Sequence, residues 1–219
     1  MSPDRDTSLA HFPSKFFSDI PHLFIPENIT PFAVGTAATA YDWAALDGQN
    51  SLASDLRGWN TQSLFDFGNF YGAGWVEGGL GVGGWGLGAL TGDLRLQEFG
   101  RDACESLAAS TILVEGVKVT VNRTRPNGSS DSFPSGHSIT AFCLAPVVAR
   151  YGGWELGIPA YALAAVTGLA RVEGHYHYLS DVLAGATLGI LIGNAVVYAP
   201  KDLSVSVAPG NMNLKLVFN

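Results

Sequence analysis

The chain has 219 residues, a formal net charge of −7, 47% hydrophobic residues and only 14% charged ones. That length suits one domain, and so little charge points either to a large buried core or to contact with lipid. An acidic chain has no general attraction to a phosphate backbone, so non-specific nucleic-acid binding is excluded.

In chain order, Met1 to Ala10 is polar and has no apolar run. No signal peptide is therefore expected in these residues: either the protein stays in the cytoplasm or a leader is missing. Pro3, Pro13, Pro21 and Pro26 predict an irregular arm over 1–29. An Ala-rich apolar stretch runs from Thr30 to about Leu46, and 49–63 is polar again. Residues 72–88 hold nine glycines. Gly81, Gly83 and Gly86 match G-x-G-x-x-G, but no β-rich run precedes them and no βαβ unit follows. Gly74/Gly78, Gly79/Gly83 and Gly84/Gly88 are small-xxx-small pairs, which predict a tightly packed helix instead.

Residues 93–121 read as an amphipathic helix, with Leu94, Leu96, Phe99, Ala103 and Leu107 on its apolar side. A polar loop, Asn122–Ser132, carries the turn formers Pro126, Asn127 and Gly128. A helix is predicted from Ser135 to about Arg150, a break at Tyr151–Gly153, and another helix over 157–170. After a polar connection at 172–178, the apolar segment 181–199 matches the ~20 residues that cross a bilayer, or the central helix of an all-α core. Leu203-Ser-Val-Ser-Val and Leu214-Lys-Leu-Val-Phe alternate and predict a short hairpin. Cys104 and Cys143 lie in apolar surroundings and are expected as buried free thiols.

Three clusters place ionisable groups at ends of apolar helices: Lys118-x6-Arg125-Pro126, Pro134-Ser135-Gly136-His137 and Arg171-x5-His177-x3-Asp181. His177 and Asp181, four apart at a helix start, share a face. The carboxylate can take a hydrogen bond from one ring nitrogen, fix the tautomer and leave the other nitrogen to attack. His175 lacks that spacing. Ser135, Gly136 and His137 open a helix, where free N–H groups favour an anion, and a histidine there can protonate a leaving oxygen. Lys118, Arg125 and Arg171 supply cations for phosphoryl oxygens. Arg123 and Asp131 are expected as solvated loop charges.

KVTVNRTRP, PSGH and ARVEGHYHYLSD resemble the three signature motifs of the type 2 phosphatidic acid phosphatase family. Its superfamily includes bacterial class A acid phosphatases and vanadium haloperoxidases. The resemblance implies a single all-α domain over 1–219 with a six-helix core at about 30–199, an N-terminal arm at 1–29 and a tail at 200–219. It implies His177 as the nucleophile forming a phosphohistidine, Asp181 as its orienting carboxylate, and His137 as the acid and then the base. Lys118, Arg125, Ser135, Gly136 and Arg171 would hold the phosphate, with no metal or cofactor; phosphate or vanadate would occupy the site. The expected substrate is a lipid phosphate, a polyprenyl pyrophosphate or a small soluble phosphate. The bacterial envelope is the expected place, either periplasmic or membrane-associated. Two features depart from the family: Ala170 stands where serine is usual, and the 127–133 loop is short. The alternatives are a vanadate-dependent haloperoxidase, a metallohydrolase using His137, His175 and His177, and a non-catalytic membrane or structural protein.

Overall fold

The computed structural model describes residues 20–46, 51–58 and 61–198, and the backbone of two strands at 203–208 and 211–216. The body is all-α, as the periodicity predicts. After a 3-10 turn, Ile20–Phe24, come α1 (Pro26–Ala45), α2 (Ser51–Arg57), α3 (Gln62–Tyr71), α4 (Trp75–Thr91), α5 (Leu94–Val121), α6 (Gly136–Glu173) and α7 (Leu179–Tyr198). The tail forms the expected hairpin, with β1 (Leu203–Ala208) antiparallel to β2 (Asn211–Leu216).

Some boundaries differ from the sequence reading. The predicted irregular arm does not reach residue 29, because a 3-10 turn covers Ile20–Phe24 and α1 already starts at Pro26. A proline in the first helical turn lacks only an N–H that would have no partner there. Residues 1–19 lie outside the described residues. The polar stretch 49–63 contains α2. The predicted break at 151–153 is present: non-helical backbone at Gly153, whose φ of 73° suits glycine, divides α6 into two helical arms.

The glycine-rich segment is a helix, and its glycines sort by face. A Cβ on Gly81 would meet Cys104, one on Gly88 would meet the backbone of Gln97, and one on Gly100 would meet the backbone of Trp85. Gly78 and Gly84 also face α5, against Leu107 and Phe99. Gly79, Gly83 and Gly86 meet nothing within 4 Å. The α4–α5 hairpin is thus packed backbone to backbone. Cys104 and Cys143 are free, the latter buried and the former half-buried.

A second glycine ladder decides where the chemistry sits. Gly185, Gly189 and Gly193 recur every four residues along α7 and face α6. A Cβ on Gly185 would lie 2.7 Å from the Ser135 carbonyl oxygen, and one on Gly189 2.6 Å from that of Ile139. On another side of α7, Asn28 of α1 donates to the Leu191 carbonyl at 2.9 Å and accepts from Asn194 at 3.0 Å. Ile139, Val114 and Ile192 fill the space between α6, α5 and α7.

This packing predicts opposite outcomes for two glycine substitutions. Gly100→Ala should lower unfolding stability by about 1–3 kcal/mol, because its methyl meets backbone. Gly79→Ala should be neutral or stabilising by up to ~1 kcal/mol, since it faces open space in a helix. Denaturant melts check both, and equal effects would contradict the assigned faces.

Candidate active site

The ends of α1, α3, α5, α6 and α7 converge at one end of the bundle and bring the three sequence clusters together. Ser135 is the N-cap of α6, its hydroxyl accepting from the Ser138 N–H at 3.4 Å. Its own N–H donates to the Asp181 carbonyl at 3.0 Å, tying α6 to the first turn of α7. A Cβ on Gly136 would lie 3.7 Å from Lys118 Nζ, so the lysine ammonium stands over the glycine. Lys118 also pairs with Glu115 at 2.9 Å.

His177 is buried, in the connection between α6 and α7. Its Nδ1 lies 2.7 Å from the Ser132 carbonyl oxygen. A carbonyl only accepts, so Nδ1 carries the proton and, in the neutral ring, Nε2 keeps its lone pair. The sequence reading gave this orienting role to Asp181. Asp181 Oδ2 is 3.7 Å from Nδ1, close enough for charge but not for a hydrogen bond. The carboxylate instead accepts from Ser132 Oγ at 2.5 Å, from the Tyr178 N–H at 2.9 Å and from Arg123 at 2.6 Å. Asp181 therefore holds Ser132, and Ser132 holds the histidine.

Arg171, near the end of α6, donates from Nη1 to Asn69 of α3 at 2.8 Å, and its guanidinium lies 4.0 Å over the Tyr176 ring. Burial and the neighbouring Arg125 lower its pKa to about 10, so it stays charged at neutral pH. Arg125 is braced by the loop, its N–H donating to the Ser129 carbonyl at 2.8 Å. The Nε groups of Arg171 and Arg125 are both buried without a hydrogen-bond partner. Two orphaned guanidinium donors next to a helix N-terminus mark a place built for an anion.

His137 lies among these cations. Burial, then Arg171, His177, Lys118 and Arg125, lower its pKa to about 4. Burial also lowers that of His177, while the Asp181 carboxylate works in the opposite sense. Both rings are thus neutral at pH 7 before an anion binds.

Other expected residues fall elsewhere. His175 sits in a left-handed turn with φ 55°. Among the described residues, no three His, Cys, Asp or Glu side chains are grouped to hold a metal. Ala170 belongs to the apolar cluster with Leu56, Phe65 and Val182, so its methyl serves packing. Asp131 accepts from Ser130 Oγ at 2.6 Å. Arg123 is no solvated loop charge: its side chain is 14% exposed and paired with Asp181. Sequence reasoning missed Ser132, Asn69 and Tyr176. Only Tyr176, beside His177, carried a local signal.

Residues 99–204 match the PAP2 superfamily. The chain is 40% identical to a lipid A 1-phosphatase of Porphyromonas gingivalis over 37% of this chain and 19% of that protein. It is 35% identical to phosphatidylglycerophosphatase B of Bacillus subtilis over 37% and 48% of the two chains. A lipid A 1-phosphatase of Rhizobium etli is 32% identical over 46% and 50%. The chain thus spans between about a fifth and a half of the length of these curated relatives. The fold is that of a solved transmembrane PAP2-type phosphatidylglycerolphosphate phosphatase from Bacillus subtilis, with a TM-score of 0.58 and 22% identity over 78% of this chain and 94% of that one.

The charge arrangement predicts how His137 titrates. In the free protein its NMR midpoint should lie near 4. Saturating inorganic phosphate should raise that midpoint by offsetting the surrounding cations. A free-protein midpoint at the ordinary 6.5, unmoved by phosphate, would contradict this site. The same depression in His137 and His177 means that unfolded chains take up protons first. The phosphate-free protein should therefore lose stability as pH falls from about 6.5 towards 4.

Proposed function

We propose that this chain, which matches the PAP2 superfamily over residues 99–204, is a metal-independent phosphatase acting on phosphate monoesters through a phosphohistidine at His177. The observation that carries this reading is the hydrogen bond from His177 Nδ1 to Ser132, which leaves Nε2 unprotonated on a ring that feels the charges of Arg171 and Arg125.

The phosphoryl group binds to the guanidinium forks, the ammonium and the N-terminus of α6. Its charge offsets the cations that hold His137 neutral, so His137 gains a proton as substrate binds. His177 Nε2 attacks phosphorus, the N–P bond forms, and the P–O ester bond breaks. His137 passes its proton to the leaving oxygen, which departs as an alcohol. In the second step His137 takes a proton from water, whose oxygen attacks phosphorus. The P–N bond breaks, releasing inorganic phosphate and restoring neutral His177. The cations stabilise the charge on the transferring group in both steps. The chain's own side chains thus supply each role without a metal.

The substrate's phosphate belongs to a lipid, on two structural grounds. Phe32, Val34, Tyr41, Val82 and Leu87 expose large apolar surfaces on α1 and α4, more than a water-facing surface favours. An apolar cleft of about 520 Å³ between α1 and α7, lined by Phe32, Ala40, Leu188 and Leu191, ends at Trp43 and Phe133 beside the site. The named lipid phosphatases among the relatives support the same class. α7 is long and apolar enough to cross a membrane, though most of it is buried. These features favour the membrane-associated form in a bacterial envelope over a wholly soluble one.

His177→Ala should abolish p-nitrophenyl phosphate hydrolysis while circular dichroism stays unchanged. Excess EDTA should leave the wild-type rate intact. Phosphatidic acid in detergent micelles should be turned over with a higher kcat/KM than glycerol phosphate. Turnover by His177→Ala would end the covalent proposal, and loss of rate in EDTA would end metal independence.

A further inference from the structure

Arg123 is one of the unassigned positions between Lys118 and Arg125, yet its side chain is more thoroughly bound than those of the phosphate-facing cations. Its guanidinium carbon sits 4.0 Å from the Trp43 ring and 4.1 Å from the Tyr178 ring. Its Nη1 donates to Asp181 Oδ1 at 2.6 Å and to Ser180 Oγ at 2.8 Å. Its backbone carbonyl accepts the Ser132 N–H at 2.8 Å. Asp181 is fully buried, and a desolvated carboxylate stays ionised only where a cation and hydrogen bonds compensate it.

We infer that Arg123 is a positioning residue for the His177 reaction: clamped between Trp43 and Tyr178, it holds Asp181 as a carboxylate, and through Asp181 and Ser132 it fixes the ring of His177. The inference rests on His177 being the nucleophile. Two paths lead from Arg123 to the histidine. One runs from side chain to Asp181 to Ser132 Oγ, the other from backbone carbonyl to Ser132 N–H. Both end on Ser132, whose carbonyl oxygen takes the Nδ1 proton. Arginine suits the clamp better than lysine because a planar guanidinium stacks on two rings while donating in its own plane.

The charged and titratable groups facing His177 are Asp181 from α7, Arg171 and His137 from α6 and Arg125 from the loop, while Lys118 from α5 acts on His137. Arg123 adds the cation on the far side of Asp181. Removing it takes a positive charge from beside the histidine and raises the proton affinity of the His177 ring. A proton on Nε2 disables attack.

The test compares Arg123→Gln, Arg123→Lys and Asp181→Asn by pH profiles on p-nitrophenyl phosphate and by vanadate inhibition. Arg123→Gln should lower kcat by about 10- to 100-fold. It should also move the acid limb of kcat/KM upward by about one pH unit. Vanadate affinity should stay within about twofold, because Arg123 spends its donors away from the phosphate. Arg123→Lys keeps the charge and should restore the limb but not the full kcat. Adding Arg123→Gln to Asp181→Asn should change nothing further.

An unmoved acid limb, additive effects in the double variant, or vanadate binding weakened tenfold with the limb in place would each overturn the inference. If Arg123→Gln does not fold, Trp43→Leu removes one face of the clamp. It should shift the limb in the same direction, and an unshifted limb there overturns the inference equally. His177→Ala run in parallel separates the outcomes: turnover in that variant defeats the nucleophile assignment. Wild-type behaviour of Arg123→Gln beside an inactive His177→Ala defeats only the role of Arg123.

Discussion

The close approach of α6 and α7 is the constraint on which the rest of the structure depends. Gly185, Gly189 and Gly193 leave no side chains between the two backbones. The first turn of α7 can therefore touch the N-cap of α6, and the Ser135 N–H reaches the Asp181 carbonyl. That contact puts the connection carrying His177 beside the helix N-terminus carrying His137. Methyl groups along this ladder would press on the backbone of α6 and part the two histidines. Apolar packing and catalytic geometry are here one interaction.

An acidic chain here assembles a cationic site. Net charge governs long-range attraction, whereas binding a phosphate depends on a few desolvated donors. Arg125 and Arg171 present unpartnered Nε groups, and Lys118 stands over Gly136. Their mutual repulsion is tolerated because Asn69 and Tyr176 hold Arg171, the Asp131 carbonyl accepts from Arg125, and Glu115 pairs with Lys118. Burial and the same repulsion keep both histidines neutral in the free protein. In the proposed mechanism a bound phosphate raises the proton affinity of His137, which links substrate binding to proton placement.

Much of the site was legible because its chemistry is carried by side chains at fixed spacing. Lys118, Arg125, His137, Arg171, His177 and Asp181 stand in three short clusters, and the structure brings all of them to one end of the bundle. What stayed hidden has physical reasons. The acceptor for His177 is the Ser132 backbone carbonyl, and a backbone group leaves no trace in a sequence. Asn69 lies 102 residues from the arginine it supports, outside all three clusters. Arg123 looked like a loop charge because the rings that enclose it come from α1 and from beyond α6. The α7 ladder was visible as G-x3-G-x3-G, but an apolar helix of that length draws attention to its hydropathy before its spacing. At the N-terminus, proline composition suggested an irregular arm where Pro26 in fact opens a helix.

In the proposed mechanism His177 carries the phosphoryl group between the two steps. p-Nitrophenolate leaves without an acid, so a His137→Ala variant should form the intermediate and fail to hydrolyse it. Rapid acid-free denaturation of that variant during turnover, followed by peptide mass spectrometry, reads the adduct directly. The account predicts a phosphoryl adduct on His177, with a burst of nitrophenol equal to the enzyme present. A burst without an adduct, or an adduct on any other residue, would contradict it.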